Sequence, residues 1–242
     1  MRDSVHGSRF YRRSRWSSFV RRFYEPFFRL SKAMSRKGLY PFLSEQFKAT
    51  KPGHRVLSVG AAGEVNRLLE SIAAEHGFEV VQLDIDSSLN PDIVADICTW
   101  SASEAFDVVV AAEVLEHCHH PRAALANLNE SLRSGGRLIL TVPFIFPIHD
   151  APVDYFRYTR HGLDLLLGGF EDVVVSERNN WGETLAVLMA RCVKPDSRTL
   201  KALSPIVVLI ATLLYPLLWA VGELIPARFL TTGYNVTARK PL

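Results

Sequence analysis

The sequence predicts an α/β fold built on a mainly parallel sheet, and three observations lead to this prediction. Between residues 53 and 178, apolar strand-like segments alternate with helix-like segments, which is the pattern of βαβ units. The first apolar segment runs directly into small residues, and the second ends in acidic residues about twenty positions later. With 242 residues, the chain is long enough for one substantial domain with appended segments.

The first predicted strand, 55–59, leads through Gly60, Ala61, Ala62 and Gly63 into a helix at 64–75. Small residues let a ligand approach the backbone, and the free N–H groups of a helix N-terminus favour negative charge. A turn of this kind also occurs simply to pack a helix on a sheet. The second strand, 78–83, ends at Asp84, where a carboxylate can accept two hydrogen bonds from the hydroxyls of a ribose.

The remaining elements complete the alternation. Further strands are predicted at 92–95, 106–111, 137–142, 171–176 and 232–239. A second helix, at 121–133, begins at Pro121 and is expected to stop at Gly135 and Gly136. The three cysteines, Cys98, Cys118 and Cys192, form neither an even framework nor a CxxC pair, which indicates a reducing, cytoplasmic compartment.

The first 37 residues form a basic and aromatic arm, with 11 Lys/Arg against two acidic residues. Phe19, Phe23 and Phe27 follow helical spacing, and Pro26 is expected to interrupt the helix. Three interpretations remain open: a helix at an anionic membrane surface, a lid over the domain, or a nucleic-acid contact. No RNA-binding module accompanies the arm, so nucleic acid is the least favoured partner.

Residues 202–222 carry no charge and could by length cross a bilayer. Burial in the domain core or in a homo-oligomer interface is the alternative. Pro216 is expected to kink the segment. Because the strand at 232–239 should pair antiparallel beside 171–176, both ends of the insertion must return to one sheet edge. We therefore expect a monotopic hairpin that dips into the inner face of the membrane.

The motifs taken together resemble the class I S-adenosylmethionine-dependent methyltransferases, and in particular the type 11 methyltransferase family. The likeness covers about residues 52–178 and rests on Val56-Leu-Ser-Val-Gly-Ala-Ala-Gly63, Asp84, Val94-Ala-Asp-Ile97, Phe106-Asp-Val-Val-Val-Ala-Ala-Glu-Val-Leu-Glu-His117, Leu132-Arg-Ser-Gly-Gly-Arg-Leu-Ile-Leu-Thr-Val-Pro143 and His149-Asp-Ala-Pro-Val-Asp-Tyr-Phe-Arg-Tyr158. The resemblance implies a Rossmann-like, doubly wound, seven-stranded sheet whose last strand is antiparallel. It also implies S-adenosylmethionine as the cofactor.

The resemblance further implies the residues of a cofactor site. Gly60 and Ala62 would face the methionine part, Asp84 the ribose, and Asp96 with Ile97 the adenine. The full predicted set is Ser58, Gly60, Ala62, Gly63, Asp84, Asp96, Ile97 and Glu113. Ser58 stands where the family usually has an acid, and Ala62 and Glu64 stand where it has more glycine. Glu64 is expected to substitute for the missing charge, and a non-catalytic relative is the alternative.

The acceptor site is predicted in the loops after the fourth and fifth strands, because ligands bind at the carboxyl ends of a parallel sheet. We predict His149 as the general base, oriented by Asp150 or Asp154, because histidine titrates near neutral pH; a bracing role in the loop is the alternative. The predicted substrate residues are His117, Asp154, Tyr155, Arg157 and Tyr158. The run from Glu116 to His120 has adjacent ligand types, the wrong spacing for zinc, so no metal is predicted.

The sequence therefore predicts three parts: a helical arm at 1–50, a methyltransferase domain at 51–180 plus 230–242, and an apolar insertion at 181–229. The expected activity is O-methylation of a small-molecule, lipid-linked or glycan acceptor at the cytoplasmic face of a membrane. A non-catalytic protein that binds the cofactor or a partner, and an RNA methyltransferase, are the alternatives.

Overall fold

The computed structural model describes residues 18–61, 63–191 and 198–242 of the chain. The helices are α1 (Ser18–Arg36), α2 (Leu39–Lys48), α3 (Glu64–His76), α4 (Pro121–Ser131), α5 (Arg160–Leu166), α6 (Trp181–Arg191) and α7 (Arg198–Leu224). The strands are β1 (Arg55–Val59), β2 (Glu79–Asp84), β3 (Ile93–Val94), β4 (Phe106–Ala112), β5 (Leu132–Pro143), β6 (Glu171–Glu177) and β7 (Gly233–Arg239).

The seven strands form one sheet in the order β3-β2-β1-β4-β5-β7-β6. The pairs from β3 to β5 are parallel, and β7 lies antiparallel between β5 and β6. The predicted Rossmann-like sheet with an antiparallel last strand is confirmed. The strand order reverses beside β1, so the carboxyl ends of β1, β2 and β4 meet where ligands bind in such sheets.

The boundary between α4 and β5 differs from the prediction. The helix ends at Ser131 rather than at 133, and Gly135 and Gly136 already belong to β5. The Gly135 N–H donates to the Lys240 carbonyl, and the Lys240 N–H donates to the Gly136 carbonyl. A side chain at Gly136 would collide with the carbonyl oxygens of Arg133 and Asp107. These glycines therefore allow the backbone of β5 to lie close to its neighbours, and they do not cap the helix.

The predicted interruption of α1 at Pro26 is wrong, because the helix runs through this residue. A proline removes one intrahelical hydrogen bond, and the packing of α1 on α6 and α7, in which Met34 and Ser35 take part, stabilises the helix after Pro26. Phe27 is partly buried. Residues 1–17 and the side chains of Phe19 and Phe23 lie outside the described part of the chain, as does Cys192.

Helix α2 belongs to the core of the sheet. Leu39, Leu43 and Phe47 are spaced along one helix face and are completely buried, in one cluster with Val56 of β1 and Ile139 of β5. This face covers one side of the central strands. The segment from Leu39 onward thus packs directly on the sheet.

Helices α6 and α7 form an antiparallel hairpin at the end of the sheet. The Trp181 Nε1–H donates to the Ile225 carbonyl (2.8 Å), and Ala186, Val187, Ala190 and Ala211 form a small buried cluster. Helix α7 passes through Pro205 and Pro216 without ending. The chain then enters β7, so both ends of the insertion return to the same sheet edge, as expected from the position of the last strand.

The core role of α2 can be tested with Phe47→Ala. Because the ring is completely buried, its loss should lower the free energy of unfolding by about 3–5 kcal/mol. Urea denaturation measures this change, and Lys48→Ala is the exposed control, expected within about 0.5 kcal/mol of the original chain. Equal stabilities of the two variants would contradict the placement of α2 in the core.

Candidate active site

A cavity of about 470 Å³ opens at the carboxyl ends of β1 and β4. Its walls come from the turn after β1, the ends of β2 and β4, the loop after β5, and helices α1 and α6. The lining residues are Lys32, Ser35, Arg36, Tyr40, Ser58, Val59, Gly60, Gly63, Glu64, Val65, Asn66, Asp84, Val110, Ala112, Glu113, Val114, His117, Phe146, His149, Asp150, Arg178 and Arg191. The volume is in the usual range for a small-molecule site.

The turn after β1 is tied to the end of β2. Gly60 has φ +91°, a conformation that favours glycine, and a Cβ there would lie 3.2 Å from Val114 Cγ2. The Gly60 N–H donates to the Leu83 carbonyl (2.8 Å), and the Ala61 N–H donates to Asp84 Oδ2 (2.7 Å). Gly60, Gly63 and Asp84 therefore lie together at the cavity, whereas Ala62 lies outside the described residues.

Ser58 and Glu64, the two departures from the family pattern, both make hydrogen bonds within the protein. The buried Ser58 hydroxyl donates to Asn66 Oδ1 (2.6 Å), and Asn66 Nδ2 donates to the Gly60 carbonyl, which braces the turn. Lys32 Nζ donates to Glu64 Oε1 (2.8 Å), and the Tyr40 hydroxyl donates to Glu64 Oε2. These hydrogen bonds lower the pKa of Glu64 and attach α1 and α2 to the start of α3.

Glu113 lines the cavity directly after β4, in a left-handed conformation with φ +58°. It pairs with the buried Arg178, which sequence reasoning missed, and accepts a hydrogen bond from Thr141 Oγ1 (3.1 Å). Burial raises the pKa of Glu113, but the charge and hydrogen bonds of Arg178 outweigh this effect and leave the pKa lowered. Glu113 is therefore an ionised, fixed part of the cavity wall.

Asp96 and Ile97 do not line this cavity. The Cys98 N–H donates to Asp96 Oδ1 (2.8 Å), which closes a local turn, and the Ile97 side chain is buried in the core. Their predicted contact with an adenine stays a prediction.

Glu116, His117 and His149 come together in the segments that follow β4 and β5. One potential ligand atom from each residue lies within 4.8 Å of the others. Glu116 is completely buried, and neither of its carboxylate oxygens has a hydrogen-bond partner in the described chain. Burial, followed by the negative charge of Glu113, raises the pKa of Glu116. Burial also lowers the pKa of His149, against the opposing effect of Asp154 and Asp150, so this imidazole is neutral near pH 7.

Among the residues predicted to bind substrate, His117 lines the cavity, while four others stabilise the loop after β5. Arg157 donates two hydrogen bonds to Asp154, which hold the pKa of Asp154 at about 2. The buried Tyr158 hydroxyl donates to the Leu115 carbonyl (2.8 Å), and the exposed Tyr155 ring packs on His119. Of the predicted catalytic pair, both His149 and Asp150 reach the cavity.

Basic side chains from α1 and α6 also line the cavity, and the sequence analysis did not assign them to the site. Arg191 Nη2 donates to Ser35 Oγ, and its guanidinium lies 4.9 Å from the ring centroid of Phe146. Burial and the neighbouring Arg36 lower the pKa of Arg191 to about 10. In the described part of the chain no carboxylate pairs with Arg191, and its buried Nε–H has no acceptor. Two helices distant in sequence thus create a positive wall.

Comparison with known proteins identifies the family. A family model described as a methyltransferase domain matches residues 12–167, which is more than half of the chain. No curated protein sequence matches the chain significantly.

Solved structures of similar fold include several methyltransferases. A methyltransferase dependent on S-adenosylmethionine from Archaeoglobus fulgidus is 19% identical, with a TM-score of 0.54 over 92% of this chain and 100% of that chain. The phosphoethanolamine N-methyltransferase 2 of Haemonchus contortus, solved with phosphomonomethylethanolamine and S-adenosylhomocysteine, is 14% identical, with a TM-score of 0.53. The alignment covers 86% of this chain but about half, 53%, of that chain.

The same fold also occurs in a protein described by another activity. The cyclase SpnF is 17% identical, with a TM-score of 0.52 over 83% of this chain and 79% of that chain. At these identities the likeness concerns the fold, and the chemistry of this chain has to be argued from its own site.

Proposed function

This chain belongs to the methyltransferase-domain family, and we propose that it is an enzyme that transfers a methyl group from S-adenosylmethionine to an oxygen of a small, anionic acceptor. The observation that supports this proposal best is the joint placement of Gly60, Gly63 and Asp84 on the wall of one cavity. The turn offers close approach to the backbone, and the Asp84 carboxylate offers acceptors for ribose hydroxyls. S-adenosylmethionine supplies an electrophilic methyl group when bound.

The residues at the turn fit such a cofactor. Asp84 Oδ2 accepts from the Ala61 N–H and Oδ1 accepts from the Asp86 N–H, so each oxygen of this cavity-lining carboxylate keeps a lone pair for a ribose hydroxyl. The ribose would bind at Asp84 and the methionine part along Gly60. A positively charged group of the cofactor would interact with the ionised carboxylate of Glu113, which also lines the cavity. Asp96 and Ile97 stay the proposed adenine contacts.

Arg191 supports an anionic acceptor. Arg191 is half-buried and has no carboxylate partner among the described residues, so its lost hydration is costly unless a ligand supplies the negative charge. Arg191 and His149 both contact Phe146: the Arg191 guanidinium lies 4.9 Å from its ring centroid, and the ring centroids of Phe146 and His149 are 5.8 Å apart. An acceptor that reaches from the histidine to the arginine would place a phosphate or carboxylate at Arg191. A lipid-linked phosphate meets this requirement.

The outer face of α7 supports activity at a membrane surface. The span Ala202–Leu224 is long and apolar enough to cross a membrane by length and composition, with mean hydropathy 2.1, and only 17% of its most apolar stretch is buried. Val208 and Ala211 face α6, whereas Ile206, Leu209, Leu213 and Leu217 are exposed at helical spacing on the other side. Because one face packs on protein and the other is free, the proposed arrangement is a hairpin lying in one leaflet of the cytoplasmic membrane face.

A non-catalytic binding protein is the second candidate, and the arrangement of Ser58 and Glu64 favours it. The Ser58 hydroxyl is committed to Asn66, and Glu64 is committed to Lys32 and Tyr40. Neither side chain offers a free acid to the amino group of the cofactor. Measurement of cofactor binding and methyl transfer on the same sample separates the two candidates.

The cofactor site is tested by titration with S-adenosylhomocysteine. Asp84→Asn keeps the shape of the side chain but removes its charge, so we expect an affinity about 10- to 100-fold lower than that of the original chain. Isothermal titration calorimetry measures the change, and Asp92→Asn, an exposed acid outside the cavity, is the matched control. The proposal fails if the folded original chain gives no heat with millimolar ligand, or if Asp84→Asn binds equally well.

The anionic acceptor is tested with pyrophosphate on protein saturated with S-adenosylhomocysteine, so that the carboxylate of the cofactor cannot compete. Arg191→Met should weaken pyrophosphate binding at least about tenfold, because it removes a charged hydrogen-bond donor of the cavity. Arg133→Met, at an exposed arginine paired with Asp107, is the control and should bind normally. Calorimetry measures both affinities. If Arg191→Met and Arg133→Met bind pyrophosphate equally well, the proposed anionic acceptor is refuted.

The membrane proposal is tested by flotation with vesicles that contain anionic lipid. The original chain should float with the vesicles, and Leu213→Glu with Leu217→Glu should stay in solution, because charges on this face oppose entry into lipid. Leu165→Glu, on the exposed face of α5, is the control. The membrane proposal is wrong if the original chain does not float with the vesicles. If the original chain is then a dimer and the Leu213→Glu/Leu217→Glu variant is a monomer, this face of α7 is a protein interface instead.

A further inference from the structure

Glu116 is a buried carboxylate that the proposed methyl transfer does not use. Its side chain is completely buried behind the cavity wall, and both of its oxygens lack a hydrogen-bond partner in the described chain. Native proteins rarely leave such a group unsatisfied, because its desolvation costs several kcal/mol unless a hydrogen bond or a positive charge compensates. At Glu113, three residues earlier, the ion pair with Arg178 compensates the loss of hydration. Among the described residues no Lys or Arg pairs with Glu116, and the nearest nitrogens, those of His117 and His149, lie 3.8 Å from its Oε1.

His117 has a nitrogen available on the side of Glu116. His117 Nδ1 lies 2.7 Å from the Val153 carbonyl oxygen, which can only accept a hydrogen bond. Nδ1 therefore carries a proton, and Nε2, 3.8 Å from Glu116 Oε1, is the nitrogen that can bind a metal. His149 Nε2 also lies 3.8 Å from Glu116 Oε1, while its Nδ1 lies 3.2 Å from Asp154 Oδ2 without a hydrogen bond. A backbone carbonyl that accepts from the outer nitrogen, as at His117, is typical of histidines that hold a metal.

Three potential ligand atoms, one each from Glu116, His117 and His149, lie within 4.8 Å of one another. His117 Nε2 and His149 Nε2 each lie 3.8 Å from Glu116 Oε1. Ligands about 2.1 Å from a tetrahedral cation are separated by about 3.4 Å, so these two distances need to shorten by only a few tenths of an ångström. Asp150 Oδ2 lies beside the set, 4.0 Å from His117 Nε2 and 3.7 Å from His149 Nε2.

We propose that Glu116, His117 and His149 bind one divalent transition-metal cation, with Zn²⁺ as the representative ion. One carboxylate and two imidazoles leave the fourth position of a tetrahedral ion open, which is the ligand number of catalytic zinc sites. Mixed imidazole and carboxylate ligands suit this class of ion better than Ca²⁺ or Mg²⁺, which prefer oxygen ligands alone. Cys118 and His119 take no part, because the Cys118 thiol donates to the Val114 carbonyl and His119 packs on Tyr155.

The position of the cluster defines what the cation would do. His117, His149 and Asp150 line the cavity, while Glu116 lies behind them, so an open coordination position would face the acceptor. If the proposed methyl transfer is correct, an acceptor hydroxyl bound to the cation would release its proton more easily, to solvent or to a carboxylate oxygen of the exposed Asp150. His149 would then be a ligand of the cation and not the general base that the sequence predicts.

The experiment measures cation binding directly on the full chain. Protein treated with a chelator and then freed of it is titrated with ZnCl₂ by calorimetry, and Co²⁺ absorption spectra report the ligand geometry. We expect one Zn²⁺ per chain. Glu116→Gln and His149→Ala should each lower the Zn²⁺ affinity at least about 100-fold, because each removes a direct ligand. His161→Ala removes an exposed histidine elsewhere and should leave the affinity unchanged.

Thermal melting and S-adenosylhomocysteine titration of the same variants control for folding. The cation site is refuted if the folded original chain binds no Zn²⁺, or if folded Glu116→Gln binds Zn²⁺ as tightly as the original chain. A second test uses the same samples: a chain that binds Zn²⁺ at this site but gives no heat with S-adenosylhomocysteine supports the cation site and contradicts the proposed function. A chain that binds S-adenosylhomocysteine but no Zn²⁺ refutes the cation site and leaves the proposed function intact.

Discussion

The parallel pairing of β1 with β2 and β4 is the constraint on which the rest of the site depends. Parallel strands begin at one sheet edge and end at the other, so residues distant in sequence that follow these strands must meet. The hydrogen bond from the Ala61 N–H to Asp84 Oδ2 joins the turn after β1 directly to the end of β2. Without the register between β1 and β2, neither the turn at Gly60 nor the carboxylate after β2 would face the same cavity.

The balance of buried charge explains the second half of the site. Glu113 and Glu116 follow the same strand and are both removed from water, yet their pKa values shift in opposite directions. Arg178 accounts for the difference, because it offsets the burial of Glu113 and leaves Glu116 without an equivalent partner. Arg191 is the complementary case of a half-buried positive charge without an acidic partner in the described chain. An acid behind the cavity wall and a cation on the wall, both without a partner of opposite charge among the described residues, are typical of a functional site.

The appended helices are part of the active-site architecture. Lys32 and Tyr40 bond to Glu64 at the start of α3, so α1 and α2 are attached to the turn that forms the proposed cofactor site. Arg191 at the end of α6 bonds to Ser35 of α1 and joins the opposite wall. The hairpin of α6 and α7 thereby connects an exposed apolar surface to the cavity.

The sequence by itself determined the sheet, the turn at Gly60, the acid at Asp84 and the loop that carries His149, because strand periodicity, small residues and turn chemistry are local properties. It misjudged Pro26 and Gly135, since helix packing and the pairing with Lys240 decided those segments. Only the tertiary structure brought Glu116 and His117 to His149, and Arg178 to Glu113. Adjacent residues in the run from Glu116 to His120 point in different directions, so ligand geometry cannot be read from neighbours along the chain. It depends on long-range packing, which joins side chains from separate loops and decides which buried charges are compensated.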